Sequence, residues 1–380
     1  MDTEDRNYSK HNHFTVVMRG PSSVCFKNND FLQVNDYPSS AGPVTLIYKT
    51  RWIQKDNSIF VPGHIWIEIT GNCTCLKDAL VPFANAGLSM LSILSLSANA
   101  AIGEPELEIG FDSTKGINER DFFQAYVAPE TSELFIQRLV NVIATNALIT
   151  SLLDHAESER LRRAANQYRI ALGEWRLGRE LLSLAHLWMA IEALTKAKIR
   201  MECSSRNIPD EKALADAFEI SKKDLDSYVR KKLLLNGDSE CYTKAKKASD
   251  GFEHGFSEYD KLHELAQDVR HRMARYTRQA IFDMCQLEAN VLNTLVNNPY
   301  DKPIGNWPVI KYLKGKLIGE NSDLASPENI YPFIKWKSTI NKTNFVEECK
   351  YNINVSESFT PELGEGISFQ PTFYEVWQTS

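Results

Sequence analysis

The sequence predicts an α+β multidomain protein in which an all-helical domain lies between a mixed N-terminal module and a small strand-rich C-terminal module. The apolar residues alternate with a period of two before residue 72, recur every three or four residues from Thr131 to Asn298, and alternate again after residue 307. A chain of 380 residues is long enough to bury two or three cores. We expect an N-terminal α+β module at 1–128, a helical bundle at 129–298 and a C-terminal strand-rich appendage at 299–380.

Short alternating runs predict the strands of the N-terminal module, because Gly-Pro and Pro-Ser pairs separate them. In the run Phe60–Thr70, for example, Ile65, Ile67 and Ile69 share one face. A long apolar helix, Leu76–Ala101, should follow these strands. The other predicted strands of this module are His13–Met18, Val44–Ile53, Glu106–Phe111 and Phe122–Val127.

The helical domain is clearest at Glu180–Ile199, where the apolar residues form one stripe. An earlier helix should begin near Thr131 and carry Leu139 on its apolar face. The last long helix should open at the capping-box pair Ser257 and Asp260 and run to about Val296. Shorter helices are expected at Asp210–Phe218, Ser221–Leu235 and Gly237–Phe252. The strands expected after the helical domain are Phe333–Ile340, Tyr351–Val355, Ile367–Phe369 and Phe373–Trp377.

Composition indicates a soluble cytoplasmic protein that has no membrane segment. The first residues lack the cationic and apolar regions of a signal peptide. The most apolar stretch, Leu76–Ile102, contains Pro82 and a Lys-Asp pair, and so predicts a buried core helix. Seven scattered cysteines fit a reducing compartment. The formal charge of −6 argues against a surface that is basic throughout, but it leaves room for a local basic patch.

No metal site or other cofactor is expected. Cys73 and Cys75 could bind a metal, but no second Cys or His pair follows at ligand spacing, so two free thiols are the better interpretation. The chain also lacks a phosphate-binding glycine loop, a metalloprotease helix motif and a nucleophile-elbow motif.

The segment Lys244–Gly255, KAKKASDGFEHG, carries the first candidate site. It places His254 at a corner between two helices. An imidazole titrates near neutral pH and can therefore exchange a proton with a ribose hydroxyl or a leaving oxygen. The candidate acid–base residue is His254, with Lys247 to hold the phosphate, Lys246 as a further phosphate contact, and Asp250 and Glu253 in support. The alternative interpretation is structural, because a cation at a helix C-terminus interacts favourably with the helix dipole.

The segment Arg270–Arg278, RHRMARYTR, is the second candidate. On a helix, His271, Arg275 and Arg278 fall on one side, with Arg270 beside them, and such a stripe is typical of phosphate contact. The alternative is a solvated cationic face in which Asp268 pairs with its neighbours.

The sequence QYRIALGEWRLGRELLSLAHLWMAIEALTKAKI, residues 167–199, resembles the first long helical pair of the HEPN superfamily, especially its Apea-like branch. Downstream, Phe252-Glu253-His254-Gly255 matches the histidine-glycine step that leads into the closing helix of that family. The resemblance covers about residues 131–297. It implies a helical bundle that pairs as a homodimer and forms a composite, metal-independent ribonuclease site, with His254 as the acid–base group.

The chain departs from the family pattern at the arginine that usually precedes this histidine by four to six residues. Lys247, Ala248 and Ser249 occupy those positions, and a lysine cannot form the bidentate fork of an arginine. Arg270 or Arg275 from a neighbouring helix could supply the cation instead. Arg179 and His186 also have the family spacing, but they lie early in the bundle, where chance explains them better.

Two functions therefore remain open from the sequence. The first is a HEPN-type endoribonuclease that cleaves RNA without a metal, as the effector of a bacterial anti-phage defence system. The second is a catalytically degenerate bundle that dimerises and binds RNA or a protein partner, which the missing arginine favours.

Overall fold

The computed structural model describes residues 12–56, 59–115, 121–124, 138–176, 178–255, 258–297, 300–305, 310–319, 321, 325–327, 333–347 and 350–377. Within these ranges it contains a six-stranded sheet, a helical bundle and three two-stranded ladders. The predicted α+β class is confirmed at this level.

An antiparallel sheet forms the centre of the N-terminal module. Its strand order is β3-β4-β5-β1-β6-β7, and a short parallel ladder joins β2 to β8. The alternation seen in the sequence has its expected result, because Ile65, Ile67 and Ile69 are all fully buried on one face. The strands are β1 Asn12–Gly20, β2 Val24–Cys25, β3 Leu32–Ser39, β4 Gly42–Asp56, β5 Ile59–Cys73, β6 Glu106–Asp112, β7 Phe122–Gln124 and β8 Arg138–Leu139.

The apolar segment after β5 is two helices rather than the single predicted one. Helix α1 (Leu76–Leu88) packs on the sheet, and α2 (Leu91–Ala98) leaves it to pack against the helical bundle. All eight residues of α2 are buried. The stretch Leu76–Ala98 is long and apolar enough to cross a membrane, the only such stretch in the part of the chain described, but 61% of its most apolar window is buried within the protein. This burial is consistent with a core element of a soluble protein.

The helical bundle is arranged around α5, which contacts α4, α8 and α9. Its helices are α3 Val142–Asp154, α4 Ser158–Gly173, α5 Glu180–Ser205, α6 Glu211–Ala217, α7 Leu225–Tyr228, α8 Ser239–His254, α9 Tyr259–Cys285 and α10 Ala289–Val296. A 3-10 turn at Lys222–Asp224 precedes α7, and a π-helical turn at Val229–Leu234 follows it. The expected helix at Ser221–Leu235 is therefore three short helical pieces.

Two predicted helix boundaries were wrong. Residues 138–139 form strand β8 rather than helix, and α3 begins only after Asn141, whose side chain accepts a hydrogen bond from the Ala144 amide. The closing helix ends at Cys285, because Gln286 adopts a left-handed conformation with φ of 51° and α10 starts anew. Thr131 and Ser257 lie outside the described residues.

The C-terminal module contains only strands among its described elements, as predicted. Strand β9 (Ile310–Ile318) pairs antiparallel with β12 (Ser368–Trp377), and β10 (Phe333–Glu347) pairs antiparallel with β11 (Lys350–Glu362).

The N-terminal module and the bundle share one continuous core, so the predicted boundary at residue 128 is not a break in packing. Helix α2 packs against α4 and α3, although it is encoded with the strands. At its end, Asn99 adopts a left-handed conformation, accepts a hydrogen bond from the Tyr168 hydroxyl at 2.6 Å and donates one to the Tyr300 carbonyl. Burial raises the pKa of the Tyr168 hydroxyl to about 12, with Arg278 and Arg138 opposing the shift.

Two buried arginines bind the last carbonyls of α2. Arg278 donates to Leu96 O at 2.8 Å and Ser97 O at 2.9 Å, and Arg138 donates to the carbonyls of residues 98 and 99. A helix leaves its final four carbonyls without intrahelical partners and carries a partial negative charge there, and the two guanidinium groups satisfy both requirements. Arg278 also donates to the carbonyls of Leu295 and Tyr300. The predicted phosphate contact by Arg278 is therefore wrong, because its side chain is buried and its donors are engaged by backbone.

We expect Arg278→Ala to lower the free energy of unfolding by about 3–5 kcal/mol, because it leaves several buried carbonyls without a donor. Arg275 lies one turn earlier on the same helix and is exposed, so Arg275→Ala should change stability by no more than about 0.5 kcal/mol. Urea unfolding of the two variants checks this. Equal midpoints would contradict the capping role of Arg278.

Candidate functional site

Helix α8 presents the first candidate residues, and its two ends are fixed by local chemistry. Asn236 and Gly237 both have positive φ and end the preceding π-helical turn. The Asp238 carboxylate then accepts a hydrogen bond from the Cys241 amide at 2.9 Å, which starts α8. The helix ends at His254, and Gly255, with a φ of 66°, forms a left-handed C-cap.

Close packing against α9 sets the position of the α8 C-terminus. Cys241, Ala245 and Ala248 are buried on the inner face of α8. Near the end, a Cβ added to Gly251 would lie 2.6 Å from a methyl carbon of Leu262 on α9, so the leucine side chain would have to shift. The absence of a side chain at residue 251 therefore lets the two helices approach next to the candidate corner.

Lys247 is exposed on the outer side of α8, and no described carboxylate forms an ion pair with it. Its neighbours differ. Lys246 contacts the Asp250 carboxylate at 2.5 Å, a hydrogen bond that raises the pKa of the lysine. Lys244 pairs with Glu240 and with Asp268. Among Lys244, Lys246 and Lys247, only Lys247 pairs with no described carboxylate in the free protein.

His254 is the last residue of α8, and its side chain lies outside the described residues. The backbone of residue 254 is seven residues, or two turns, beyond Lys247 and four residues beyond Asp250, so the three positions share one side of the helix. Glu253 is exposed and accepts a long hydrogen bond, 3.4 Å, from the buried Ser249 hydroxyl. The helix therefore brings together the predicted set Lys247, Asp250 and His254 at backbone level.

The second predicted stripe, on α9, does not form one surface. Arg270 is buried and His271 is half-buried, whereas Arg275 is exposed and stacks on the Tyr276 ring at 5.3 Å. The predicted cationic surface does not form because α9 packs against α4, α5 and α8, so that the cationic residues at the centre of α9 point into the bundle. Of the predicted phosphate contacts on α9, Arg275 alone is open to solvent.

Arg270 belongs to a buried cluster at the corner between α4 and α5. Its guanidinium lies 4.8 Å from the Trp175 ring centroid and 3.8 Å from Glu180 Oε1. Glu180 is buried at the start of α5, and its other oxygen contacts His263 Nε2 at 2.7 Å. Burial lowers the pKa of Arg270, and Glu180 opposes the shift. These contacts anchor α9 to the beginning of α5.

His271 packs edge-on against the same tryptophan, with ring centroids 5.0 Å apart. Burial lowers the pKa of the imidazole, and the positive charges of Arg270 and Lys302 lower it further. His271 is therefore a neutral ring that packs in the bundle rather than a cation for phosphate.

Arg179 and His186 have separate partners. Arg179 lies 3.6 Å from Glu174, and the His186 ring contacts the Gln167 amide oxygen at 2.8 Å. Burial lowers the pKa of His186, although Glu174 opposes the shift. Their sequence spacing does not make them a hydrogen-bonded pair among the described contacts.

The sequence did not single out one further cationic group, Arg230, which lies on the π-helical turn beside α8. Arg230 projects from this turn, stacks over the Trp188 ring at 5.6 Å and pairs with Glu192 at 3.2 Å. The signal was present in the sequence: residues 222–247 contain eight lysines and arginines but four aspartates and glutamates, whereas the whole chain carries −6. An excess of four positive charges over one segment indicates the basic patch that the net charge left possible.

Within the described ranges, no group of three His, Cys, Asp or Glu side chains is arranged to hold a metal ion. Comparison with known proteins found no match among family models, curated proteins or solved structures. The geometry of the chain is therefore the basis for assigning a function.

We expect the free energy of unfolding to fall as the pH drops below about 6.5, the ordinary pKa of histidine, partly because of His271. The unfolded chain binds a proton at this ring more readily than the folded one, where Trp175, Arg270 and Lys302 surround it, so acid favours unfolding. His271→Gln should lose less stability than the wild type between pH 7 and pH 5. Chemical denaturation at both pH values measures this, with exposed His13→Gln as the control. An unchanged pH dependence in His271→Gln would refute the prediction.

Proposed function

We propose that the helical bundle is a HEPN-like, metal-independent endoribonuclease whose site lies at the C-terminal end of α8. The observation that carries the proposal is the exposed ammonium of Lys247, which pairs with no described carboxylate and lies on the same side of the helix as residue 254. The resemblance of residues 131–297 to the HEPN superfamily supplies the substrate class, RNA.

In the proposed reaction the RNA 2′-hydroxyl is the nucleophile. His254 accepts its proton as the oxygen attacks the adjacent phosphorus, and a proton is returned to the 5′-oxygen as the P–O bond breaks. The products are a 2′,3′-cyclic phosphate and a 5′-hydroxyl. Lys247 holds a non-bridging phosphate oxygen and stabilises the negative charge that develops on it.

The neighbouring residues have supporting roles in this proposal. The Lys246–Asp250 pair lies one to two turns before the histidine and balances charge along the face. The sharp corner at Gly255 and the close contact between Gly251 and Leu262 hold the end of α8 against α9, so the acid–base group sits on a rigid element.

The second candidate function is a bundle that binds RNA or a protein without cleaving it. The environment of three arginines on α9 favours this candidate. Arg270 and Arg278 are buried, and Arg272 pairs with Asp238 and Glu240. None of these arginines can supply the cation that Lys247 provides in place of the family arginine. The two functions differ in a single outcome, cleavage.

We further propose that the chain acts as a homodimer in the cytoplasm, as an effector of anti-phage defence. The six cysteines within the described residues are free thiols, as expected in a reducing compartment. The dimer and the defence role follow from the HEPN resemblance.

We expect His254→Ala to reduce RNA cleavage in EDTA by at least about 100-fold, because it removes the acid–base group. Lys247→Ala should reduce it by roughly 10-fold, since an exposed cation stabilises the transition state less than an enclosed donor does. The matched control is Lys244→Ala, on the same helix, whose lysine is already held by Glu240 and Asp268. Gel analysis of a labelled RNA, with detection of the cyclic phosphate, measures all three. Cleavage by His254→Ala at the wild-type rate would end the proposal.

A mixture of the His254→Ala and Lys247→Ala proteins tests whether two protomers build each site. If His254 of one protomer works with Lys247 of the other, a mixed dimer contains one intact site, and subunit exchange should restore roughly a quarter of wild-type activity. If both groups come from one protomer, each mutation disables its own site and the mixture stays as inactive as its parts. Activity after exchange distinguishes the two arrangements.

A further inference from the structure

The π-helical turn holds Arg230 in a fixed position. Its Nε donates to the Thr195 hydroxyl at 3.1 Å, and its guanidinium lies over the Trp188 ring, which in turn contacts the Tyr242 ring with centroids 5.8 Å apart. Trp188 and Thr195 are buried in α5, so two groups of the core fix the direction of the arginine. A π-helical turn is a rare conformation that is found frequently at functional sites.

In the free protein, Arg230 and Lys246 are each neutralised by one carboxylate. Glu192 contacts the Arg230 guanidinium at 3.2 Å, and Asp250 contacts Lys246 at 2.5 Å. The two carboxylate side chains are 43% and 47% exposed, whereas the Arg230 side chain itself is 18% exposed, so both pairs reach solvent through their carboxylates. Ion pairs that reach solvent are weak, and a phosphate can replace a carboxylate there at little cost. Since Thr195 and Trp188 hold the arginine independently, its orientation survives the exchange.

Arg230 and Lys246 belong to the same patch. Arg230 lies over the Trp188 ring, which contacts the Tyr242 ring of α8, and Lys246 follows Tyr242 by four residues, or one turn, on the same side of that helix. The turn that carries Arg230 also packs against α8. Both residues fall within the segment 222–247 that carries an excess of four positive charges. The surroundings therefore attract a polyanion.

From this juxtaposition we infer that Arg230 and Lys246 form a subsite for a backbone phosphate of the RNA substrate, separate from the cleavage position. The inference rests on the proposed function for its ligand, RNA. The arginine supplies the bidentate fork that Lys247 lacks, and the lysine supplies a second charge. Lys246 precedes His254 by eight residues of α8, or about 12 Å along the helix axis, a length that more than one nucleotide of a single strand must cross. Arg230 thus positions the strand, and His254 acts on it.

Binding of a 2′-O-methylated single-stranded RNA tests the subsite, because such an RNA cannot be cleaved by its own 2′-oxygen. Fluorescence anisotropy in EDTA over a series of salt concentrations gives the affinity and its salt dependence. Arg230→Gln should weaken binding about 5-fold to 10-fold and reduce the slope of log affinity against log salt by about 0.7, the value for one phosphate contact on a single strand.

Arg206 provides a matched control. It also pairs with a glutamate, Glu202 at 2.9 Å, and stacks on an aromatic ring, Phe218 at 4.9 Å, but it lies outside the basic segment. Arg206→Gln should leave both affinity and salt slope unchanged. Equal affinity and slope for Arg230→Gln and Arg206→Gln would overturn the subsite.

Glu192→Gln keeps the inference testable if Arg230→Gln does not fold. It leaves the arginine in place and removes the competing carboxylate, so RNA should bind about 2-fold to 3-fold more tightly, since a half-exposed ion pair is weak. Glu202→Gln should have no effect. Unchanged binding by Glu192→Gln would count against the subsite.

Cleavage assays separate this inference from the proposed function. Cleavage that depends on His254 but not on Arg230, together with unchanged binding by Arg230→Gln, refutes the subsite and leaves the nuclease standing. Binding that depends on Arg230 without any cleavage refutes the nuclease and leaves the subsite standing. If the wild type neither binds nor cleaves RNA, both proposals fail.

Discussion

The contact on which the architecture depends is the binding of the α2 C-terminus by Arg278 and Arg138. Four successive carbonyls, of residues 96–99, receive hydrogen bonds from these two guanidinium groups, in surroundings where an unsatisfied carbonyl is costly. Arg278 comes from α9 and Arg138 from β8, so one helix end joins the bundle to the N-terminal module. Asn99, Tyr168 and Tyr300 complete the same buried network.

The same network explains which cations remain for a ligand. Arg278 donates to backbone carbonyls, Arg270 contacts Glu180 and Trp175, and Arg272 pairs with Asp238. Three of the four arginines of α9 are used within the protein, whereas Arg275 is exposed. Further cations reach solvent along α8 and the preceding π-helical turn, where Lys247 is exposed and the Thr195 hydroxyl holds Arg230. The proposed RNA surface is thus formed by the cations that are not buried in the core.

The sequence predicted the elements well where one face of an element is buried and the other is not. The alternation at Ile65–Ile69 is of this kind and is found as expected. The predicted stripe of α5 is buried too, but so are most of its other sides, because α4, α8 and α9 all pack against this helix. The predictions from sequence were wrong where contacts between distant parts of the chain determine the local structure. Leu139 fits a helical stripe but pairs in β8 with β2, and the break between α1 and α2 separates two helices that are both apolar. Arg278 and Arg275 are alike in sequence, and only the position of α2 distinguishes a buried cap from a surface charge. At the candidate site, sequence located the α8 corner but missed Arg230, because its partners Glu192 and Thr195 come from another helix.

Helix α2 is part of the bundle's interior although the chain makes it before any bundle helix. All its residues are covered, largely by α3 and α4, so a bundle formed without it would have an open apolar trough where it belongs. During synthesis, domains fold from the N-terminus onward, and α2 is therefore made before the helices that pack around it. Separating the two halves of the gene product would therefore not yield two independent proteins. The helical bundle therefore depends on a helix that the N-terminal part of the chain supplies.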